Sequence, residues 1–144
     1  MSDIQVRIAD WQKDNAELRR IREAVFIAEQ SVSPELEWDA DDADAVHFLA
    51  LDSDYPIGTA RLLADGQIGR VAVLRDWRGL NVGVALMRAV IAEAERRGLS
   101  EQTLTAQVHA SPFYERFGFE VVSEEFLDAG IPHVDMLRRS DSAT

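Results

Sequence analysis

One segment in the middle of this 144-residue chain constrains the fold more than any other. Residues 68–74 are rich in aliphatic and β-branched side chains and predict a strand, and a tight turn containing Gly79 follows. Residues 82–97 then place apolar side chains at i, i+3, i+4, i+7 and i+8, and Gly98 stands where it can end this predicted helix. A strand, a turn and an amphipathic helix in this order indicate a domain that packs helices against a sheet.

The rest of the chain alternates between strand and helix patterns. A first helix is predicted from a capping box at Asp14 and Glu17 to about residues 31–34. A third helix is predicted from an N-cap at Ser111 to about Gly118. Strands are predicted at residues 4–8, 46–51, 57–63, 68–74, 103–108, 119–122 and 134–137. The fold class is therefore α/β (α+β), with residues 1–144 as a single domain and residues 138–144 as a frayed tail.

Composition excludes several functional classes. The net charge of −11 argues against a nucleic-acid partner. The absence of cysteine excludes a disulfide scaffold, a cysteine nucleophile and cysteine-ligated metals, and we expect no metal site. No apolar run approaches the roughly 18 residues of a membrane span, and the first residues lack an export-signal pattern, so we expect a cytoplasmic protein without membrane contact.

Charge is distributed unevenly along the chain. Residues 67–97 form a cationic segment, rich in arginine, within an acidic protein. Arg75 and Arg78 flank the turn before the central helix, where the first backbone amides lack helical partners and attract anions. Gly79 and Gly83 would let a ligand approach the backbone. The segment lacks both the Walker and the Gly-x-Gly-x-x-Gly pattern, so it indicates either a different phosphate site or an ordinary strand–turn–helix junction.

Three motifs resemble one known family. Residues 78–83, Arg-Gly-Leu-Asn-Val-Gly, resemble the Arg/Gln-x-x-Gly-x-Gly/Ala loop of the GNAT superfamily of acetyl-CoA-dependent N-acetyltransferases. Residues 103–119 are similar to that superfamily's strand and helix with a Phe-Tyr-Glu and a later Gly-Phe. Residues 22–30 with Asp39, Asp42 and His47, and residues 129–133 with Met136, resemble its YjcF/ElaA-type subgroup. The resemblance implies a GNAT fold, with a central mixed, mostly antiparallel twisted sheet flanked by helices.

The resemblance also implies where acetyl-CoA binds. In such enzymes the pyrophosphate lies on the amides of the turn, which here belong to Arg78, Gly79, Leu80, Asn81, Val82, Gly83 and Val84. The pantetheine arm would pair with Val71, Ala72 and Val73, whose N–H groups would also polarise the thioester carbonyl. Asn81 replaces the family's central glycine. Asparagine tolerates a left-handed backbone well, so we expect weakened but not abolished pyrophosphate binding.

The same resemblance suggests catalytic residues. Tyr114 matches the family's usual general acid, which protonates the departing thiolate, although its ring could instead only pack on its helix. A base must take the proton of the attacking amine. The first candidates are Glu29, His47 and His133, followed by Glu37 and Asp39. A water chain is a further alternative.

These inferences predict an N-acetyltransferase in which an amine attacks acetyl-CoA directly in a ternary complex. The acidic run at residues 35–44, with Trp38 inside it, is either a solvated loop or a lip that attracts a cationic small-molecule or peptide amine. The alternatives are a non-catalytic acyl-CoA-binding domain and an interaction module without CoA affinity. A late strand edge makes a homodimer plausible.

Overall fold

The computed structural model describes residues 4–29 and 40–140, which form two sheets. The first is an antiparallel meander of β1 (Ile4–Ala9), β2 (Val46–Asp52), β3 (Tyr55–Leu62) and β4 (Ile68–Val73). The second contains β5 (Glu101–Gln107), β6 (Glu120–Val121), β7 (Phe126–Asp128) and β8 (Ile131–Arg139). In the second sheet β8 pairs with β5 on one side and with β6 and β7 on the other.

The helices follow the predicted order. They are α1 (Asn15–Arg22), α2 (Val82–Arg96) and α3 (Ser111–Glu115). A π-helical stretch, Glu23–Glu29, continues α1, and short 3-10 helices form at Ala40–Ala43, Arg75–Trp77 and Val108–Ala110. No helix within the described ranges is long and apolar enough to cross a membrane.

The main core lies between α2 and both sheets. Its buried side chains include Leu86, Met87 and Val90 of α2, Phe48 and Leu62 of the first sheet, and Leu104, Val134 and Met136 of the second. A smaller core covers the opposite face of the first sheet, where Leu18, Ile21 and Val25 pack against Leu49 and Ala72. Helix α2 therefore joins the two sheets, whereas α1 covers the first sheet alone.

The capping box predicted at the start of α1 and the N-cap predicted at Ser111 do not form. The Asp14 carboxylate accepts hydrogen bonds from the Asp10 amide at 2.8 Å and from the Arg7 guanidinium at 3.0 Å, and it makes no bond to the first amides of α1. Glu17 pairs with Arg20 at 3.0 Å instead. Ser111 is likewise the first residue of α3 rather than its N-cap. These polar side chains therefore bind partners other than the first amides of their own helices.

The prediction that the frayed tail begins at residue 138 is wrong. Strand β8 extends through Arg139, and Arg138 donates hydrogen bonds to the Phe117 carbonyl at 2.7 Å and to Gln102 at 2.9 Å. These partners are distant in sequence, so a local pattern could not predict them. Residues 141–144 lie outside the described part of the chain.

Candidate active site

The two sheets meet at one point and then separate. Gln67, just before β4, forms an isolated parallel bridge with Thr103 of β5. The Thr103 N–H also donates to the Gly66 carbonyl at 3.1 Å. Beyond this bridge no further β4–β5 pair forms among the described residues. The two parallel strands therefore diverge and leave a gap between the sheets.

A bulge in β4 bends the strand beside this gap. The register of β3 against β4 shifts between Thr59 and Arg61, and Arg70, on the opposite strand, has a φ of 51°. The Thr59 hydroxyl donates to the Arg70 carbonyl at 3.1 Å and supports that backbone conformation. Bulges re-aim side chains and are frequent next to active sites. No local pattern predicts this bulge, because arginine is not a residue type that favours positive φ.

The gap is a cleft of about 590 Å³, within the size range of small-ligand sites. It is lined by residues from both sheets, from the π-helical stretch after α1 and from α3. The polar and aromatic lining residues include Phe26, Arg61, Arg70, His109, Tyr114 and His133. Of the predicted catalytic residues, Tyr114 and His133 therefore share one cleft.

The turn before α2 has the geometry predicted for an anion site. Asn81 adopts a left-handed conformation with φ 64° and ψ 21°, as expected for a residue replacing glycine. The Ala85 amide donates to the Asn81 carbonyl at 3.1 Å, so the amides of residues 82–84 precede the first helical hydrogen bond. No acidic side chain lies in this first turn. A Cβ built on Gly79 meets no heavy atom of the described residues within 4 Å, which leaves room for a ligand.

Two members of the predicted turn have structural partners instead. The Arg78 amide donates to the Arg75 carbonyl at 3.2 Å, and its Nε donates to the Val73 carbonyl at 2.9 Å. A Cβ on Gly83 would lie 3.3 Å from the Phe113 ring, so the start of α2 packs closely against α3 at this glycine. The open part of the turn therefore begins at Gly79. The contact with Phe113 also brings the start of α2 next to the helix that carries Tyr114.

The short helix before the turn is anchored to the first sheet. The Trp77 indole N–H donates to the Asp52 carboxylate at 2.9 Å, which ties the turn to the end of β2. The Trp77 ring also packs against Tyr55, with 5.4 Å between ring centroids. These two contacts of Trp77 support the position of the turn before α2.

The edge of β4 offers backbone groups to the cleft. The Leu74 amide donates to the Ile57 carbonyl of β3 at 2.9 Å. Because amides alternate in direction along a strand, those of Val71 and Val73 point away from β3 and toward the gap. The Ala72 amide points toward β3 instead. The Ala72 side chain is buried in the smaller core. Of the three predicted pantetheine-pairing residues, Val71 and Val73 are therefore placed to pair with a ligand.

Tyr114 lies in an apolar part of the cleft wall. Its ring packs edge-on against Phe113 and Phe119, with centroids 5.0 and 6.3 Å away. Burial raises the pKa of Tyr114 above its ordinary value, because the apolar surroundings disfavour the phenolate. The hydroxyl is therefore protonated at neutral pH and able to donate a proton.

His133 is held in a defined orientation. Its Nδ1 lies 2.6 Å from the Ile131 carbonyl oxygen. A carbonyl only accepts hydrogen bonds, so Nδ1 carries the proton and Nε2 of the neutral ring has a free lone pair. The ring stacks on Phe126 of the paired strand β7, with 6.2 Å between centroids and 26° between planes.

His47 belongs to the protein interior rather than to the cleft, so its prediction as a candidate base is corrected. Its Nε2 donates to the Asp42 carbonyl at 2.7 Å, and its ring stacks on Trp11. Burial lowers the pKa of His47 and keeps the ring neutral. A histidine enclosed in this way stabilises the fold but cannot reach a substrate in the cleft.

Asp42 is also buried, which corrects the view of it as part of a solvated loop or lip. It bridges Arg22 at 2.9 Å and Arg61 at 3.0 Å. Burial alone would raise the pKa of Asp42, but the hydrogen bonds and charges of the two arginines outweigh it and hold the pKa below its ordinary value. These residues come from three separate segments, so only the fold brings them together.

Several predicted residues cannot be placed. Glu37, Trp38 and Asp39 lie outside the described residues, as does the side chain of Glu29. Within the described ranges no group of three His, Asp or Glu side chains is arranged to hold a metal ion. Sequence reasoning gave no role to Arg61, Arg70, His109 or Asp128, which line the cleft because of pairings between distant strands.

Comparisons with known proteins agree with this architecture. Residues 10–139 match the acetyltransferase (GNAT) domain family. The uncharacterized N-acetyltransferase YjcF of Bacillus subtilis is 40% identical over 122 residues, covering 82% of this chain and 87% of that protein. The crystal structure of Escherichia coli ElaA superimposes with a TM-score of 0.82 at 32% identity, over 96% of this chain and 100% of that one. An acyl-CoA N-acyltransferase from Pseudomonas aeruginosa gives a TM-score of 0.81 at 33% identity, over 94% and 99% of the two chains.

Proposed function

Because this chain belongs to the GNAT acetyltransferase family, in its YjcF/ElaA-like subgroup, and has the acyl-CoA N-acyltransferase fold, we propose that it acetylates a primary amine with acetyl-CoA as donor. The acceptor is a small molecule or a peptide, and the amine attacks directly while both substrates are bound. The observation that carries the proposal is the cleft between β4 and β5, which has Tyr114 in its wall and the start of α2 beside it.

The residues present fit acetyl-CoA. The amides of residues 82–84 precede the first helical hydrogen bond of α2, and a Cβ on Gly79 meets no heavy atom of the described residues within 4 Å, so this helix N-terminus is suited to a diphosphate. The amides of Val71 and Val73 face the gap and can pair with an extended amide-containing arm such as pantetheine. When bound, acetyl-CoA supplies the acetyl thioester, and no cysteine is available to carry the acetyl group on the protein.

The chain's own residues supply the proton transfers. Tyr114 holds a proton on its hydroxyl oxygen, because burial disfavours its phenolate, and can release that proton to the departing sulfur. The acceptor nitrogen must lose a proton as it is acetylated. Glu29, His133 or a water chain can accept it.

Calorimetric titration with acetyl-CoA, and separately with acetyl-CoA lacking the 3′-phosphate, tests the donor site. A thiol-release assay with spermidine and with a short basic peptide tests transfer, and the protein adds no thiol of its own because it has no cysteine. Tyr114→Phe is expected to lower kcat by about 100-fold or more and to leave acetyl-CoA affinity unchanged. Tyr55→Phe removes the chain's other phenol and serves as the matched control.

The outcomes separate the possible functions. Acetyl-CoA binding with no thiol release for either amine supports a non-catalytic acyl-CoA-binding domain. No binding of either nucleotide refutes the donor site and leaves an interaction module with this fold. If Tyr114→Phe and the wild type turn over equally fast, the proposed role of Tyr114 is refuted, but the acetyltransferase function is not.

A further inference from the structure

We propose that His133 is the general base that accepts the proton of the acceptor nitrogen at its Nε2, an assignment that rests on the proposed acetyltransferase function. Its position in the cleft, its fixed tautomer and its supporting contacts carry the inference.

His133 and Tyr114 enter the cleft from opposite faces of the second sheet. Val134 and Met136 of β8 point into the core beneath α2. Side chains alternate along a strand, so His133 points to the other face. Tyr114 packs against the α2 core. The acid therefore lies on the α2 side of the sheet, next to the turn proposed to bind the donor, and the histidine lies on the opposite face.

The surroundings of the ring prepare Nε2 to accept a proton. The 2.6 Å hydrogen bond from Nδ1 to the Ile131 carbonyl keeps the proton on Nδ1 in the neutral ring. It also stabilises the imidazolium that forms when Nε2 is protonated. The stacked Phe126 ring limits rotation of the imidazole. A general base needs a defined lone-pair direction, and these two contacts provide it.

The other cleft groups are less suited to the role. His109 is exposed, and no side-chain hydrogen bond or ring contact with another described residue orients its imidazole. Asp135 lies on the same face of β8 as His133, but its carboxylate accepts a hydrogen bond from the Thr105 hydroxyl at 2.7 Å. Among the described residues, the titratable and charged groups that line the cleft with His133 are Asp128, His109, Arg61, Arg70 and Tyr114.

The proton balance of the transfer is simple. The neutral amine nitrogen forms a bond to the acetyl carbon, and the bond from that carbon to sulfur breaks. The nitrogen's proton moves to Nε2 of His133, and the Tyr114 hydroxyl gives its proton to the sulfur. The imidazolium and the phenolate then return to their starting states by proton exchange through water. The products are one amide and one free thiol.

His133→Gln, His109→Gln and Glu29→Gln form the test set. A histidine base accepts a proton only while its ring is neutral, so the wild-type profile of kcat against pH should show an acidic limb that depends on this base. His133→Gln should lose this acidic limb and about 100-fold of kcat at neutral pH, with the acetyl-CoA Kd unchanged. Both of the other variants should keep the limb. Nitrogen-15 NMR of the ligand-free protein should show the Nδ1–H tautomer for His133.

Each alternative result has a definite meaning. An acidic limb that persists in His133→Gln, or that disappears in Glu29→Gln or His109→Gln instead, overturns the assignment while leaving the acetyltransferase function intact. An Nε2–H tautomer by NMR also overturns it, independently of activity. A wild-type protein that binds acetyl-CoA but releases no thiol overturns the proposed function and this assignment with it.

Discussion

Asn81→Val tests whether the turn before α2 is preformed for an anionic ligand. Asn81 is exposed and has φ 64° and ψ 21°, and its side chain makes no capping bond to the helix that it precedes. The position therefore requires tolerance of a left-handed backbone. A β-branched residue is strained in that conformation by about 1–2 kcal/mol, which corresponds to a factor of about 5 to 30 in an equilibrium constant.

The strain must appear in one of two measurements. If the free loop of Asn81→Val relaxes, acetyl-CoA binding has to restore the strained form, and the calorimetric Kd rises by up to about 30-fold. If the loop keeps its shape, the free energy of unfolding in urea falls by about 1–2 kcal/mol instead. The two losses together should equal the strain.

Asn81→Gly is the matched control, because it removes the same carboxamide but adopts positive φ without strain. It should bind acetyl-CoA at least as tightly as the wild type, and its free energy of unfolding should fall by about 0.4–1 kcal/mol through the greater freedom of the unfolded chain. If Asn81→Val matches the glycine variant in both Kd and unfolding free energy, the conformational argument for this turn is wrong.

Three further changes probe the supports of the site. A Cβ on Gly66 would lie 2.3 Å from a β5 carbonyl, so Gly66→Ala should lower the free energy of unfolding in urea by roughly 1–3 kcal/mol. Asp42→Asn should lower the free energy of unfolding in urea by about 3–5 kcal/mol at pH 7. Because the pKa of Asp42 is lowered in the fold, its stabilising contribution is present above the unfolded carboxyl pKa of about 4 and declines as pH falls below it, a decline the variant should lack. Trp77→Phe, which loses the 2.9 Å bond to Asp52, should raise KM for acetyl-CoA by about 2- to 10-fold without changing kcat.

The parts of the fold that could be predicted are those determined by neighbouring residues. The apolar spacing of residues 82–97 records the face of α2 that is buried, and Asp65 with Gly66 marks the turn before β4. Asn81 could be expected in a left-handed conformation because it stands where the family it resembles has a glycine, and asparagine tolerates that conformation well. Local patterns of this kind predict both the secondary-structure element and the place where it ends.

The parts that could not be predicted depend on pairings between distant segments. The bulge at Arg70 comes from the register of β3 against β4. The residues around Arg70 carry no signal of it, because the hydroxyl that supports this backbone belongs to the neighbouring strand β3. Strand β7 is short and exposed, and within the described part of the chain it pairs only with β8. Asp42 lies in an acidic run, yet two arginines from other elements bury it. Local composition predicts solvation for such a residue, whereas the fold determines its actual partners.

The position of the active site follows from the way α2 completes the core. This helix packs against both sheets, so it spans the line along which β4 and β5 separate. Its first turn consequently lies next to the gap, where Gly83 contacts Phe113 of the helix that carries Tyr114. A helix that buries the apolar faces of two diverging strands therefore also places its unpaired amides beside the cleft between them. The hydrophobic effect that stabilises the domain and the electrostatics proposed to bind the donor thus depend on the same helix.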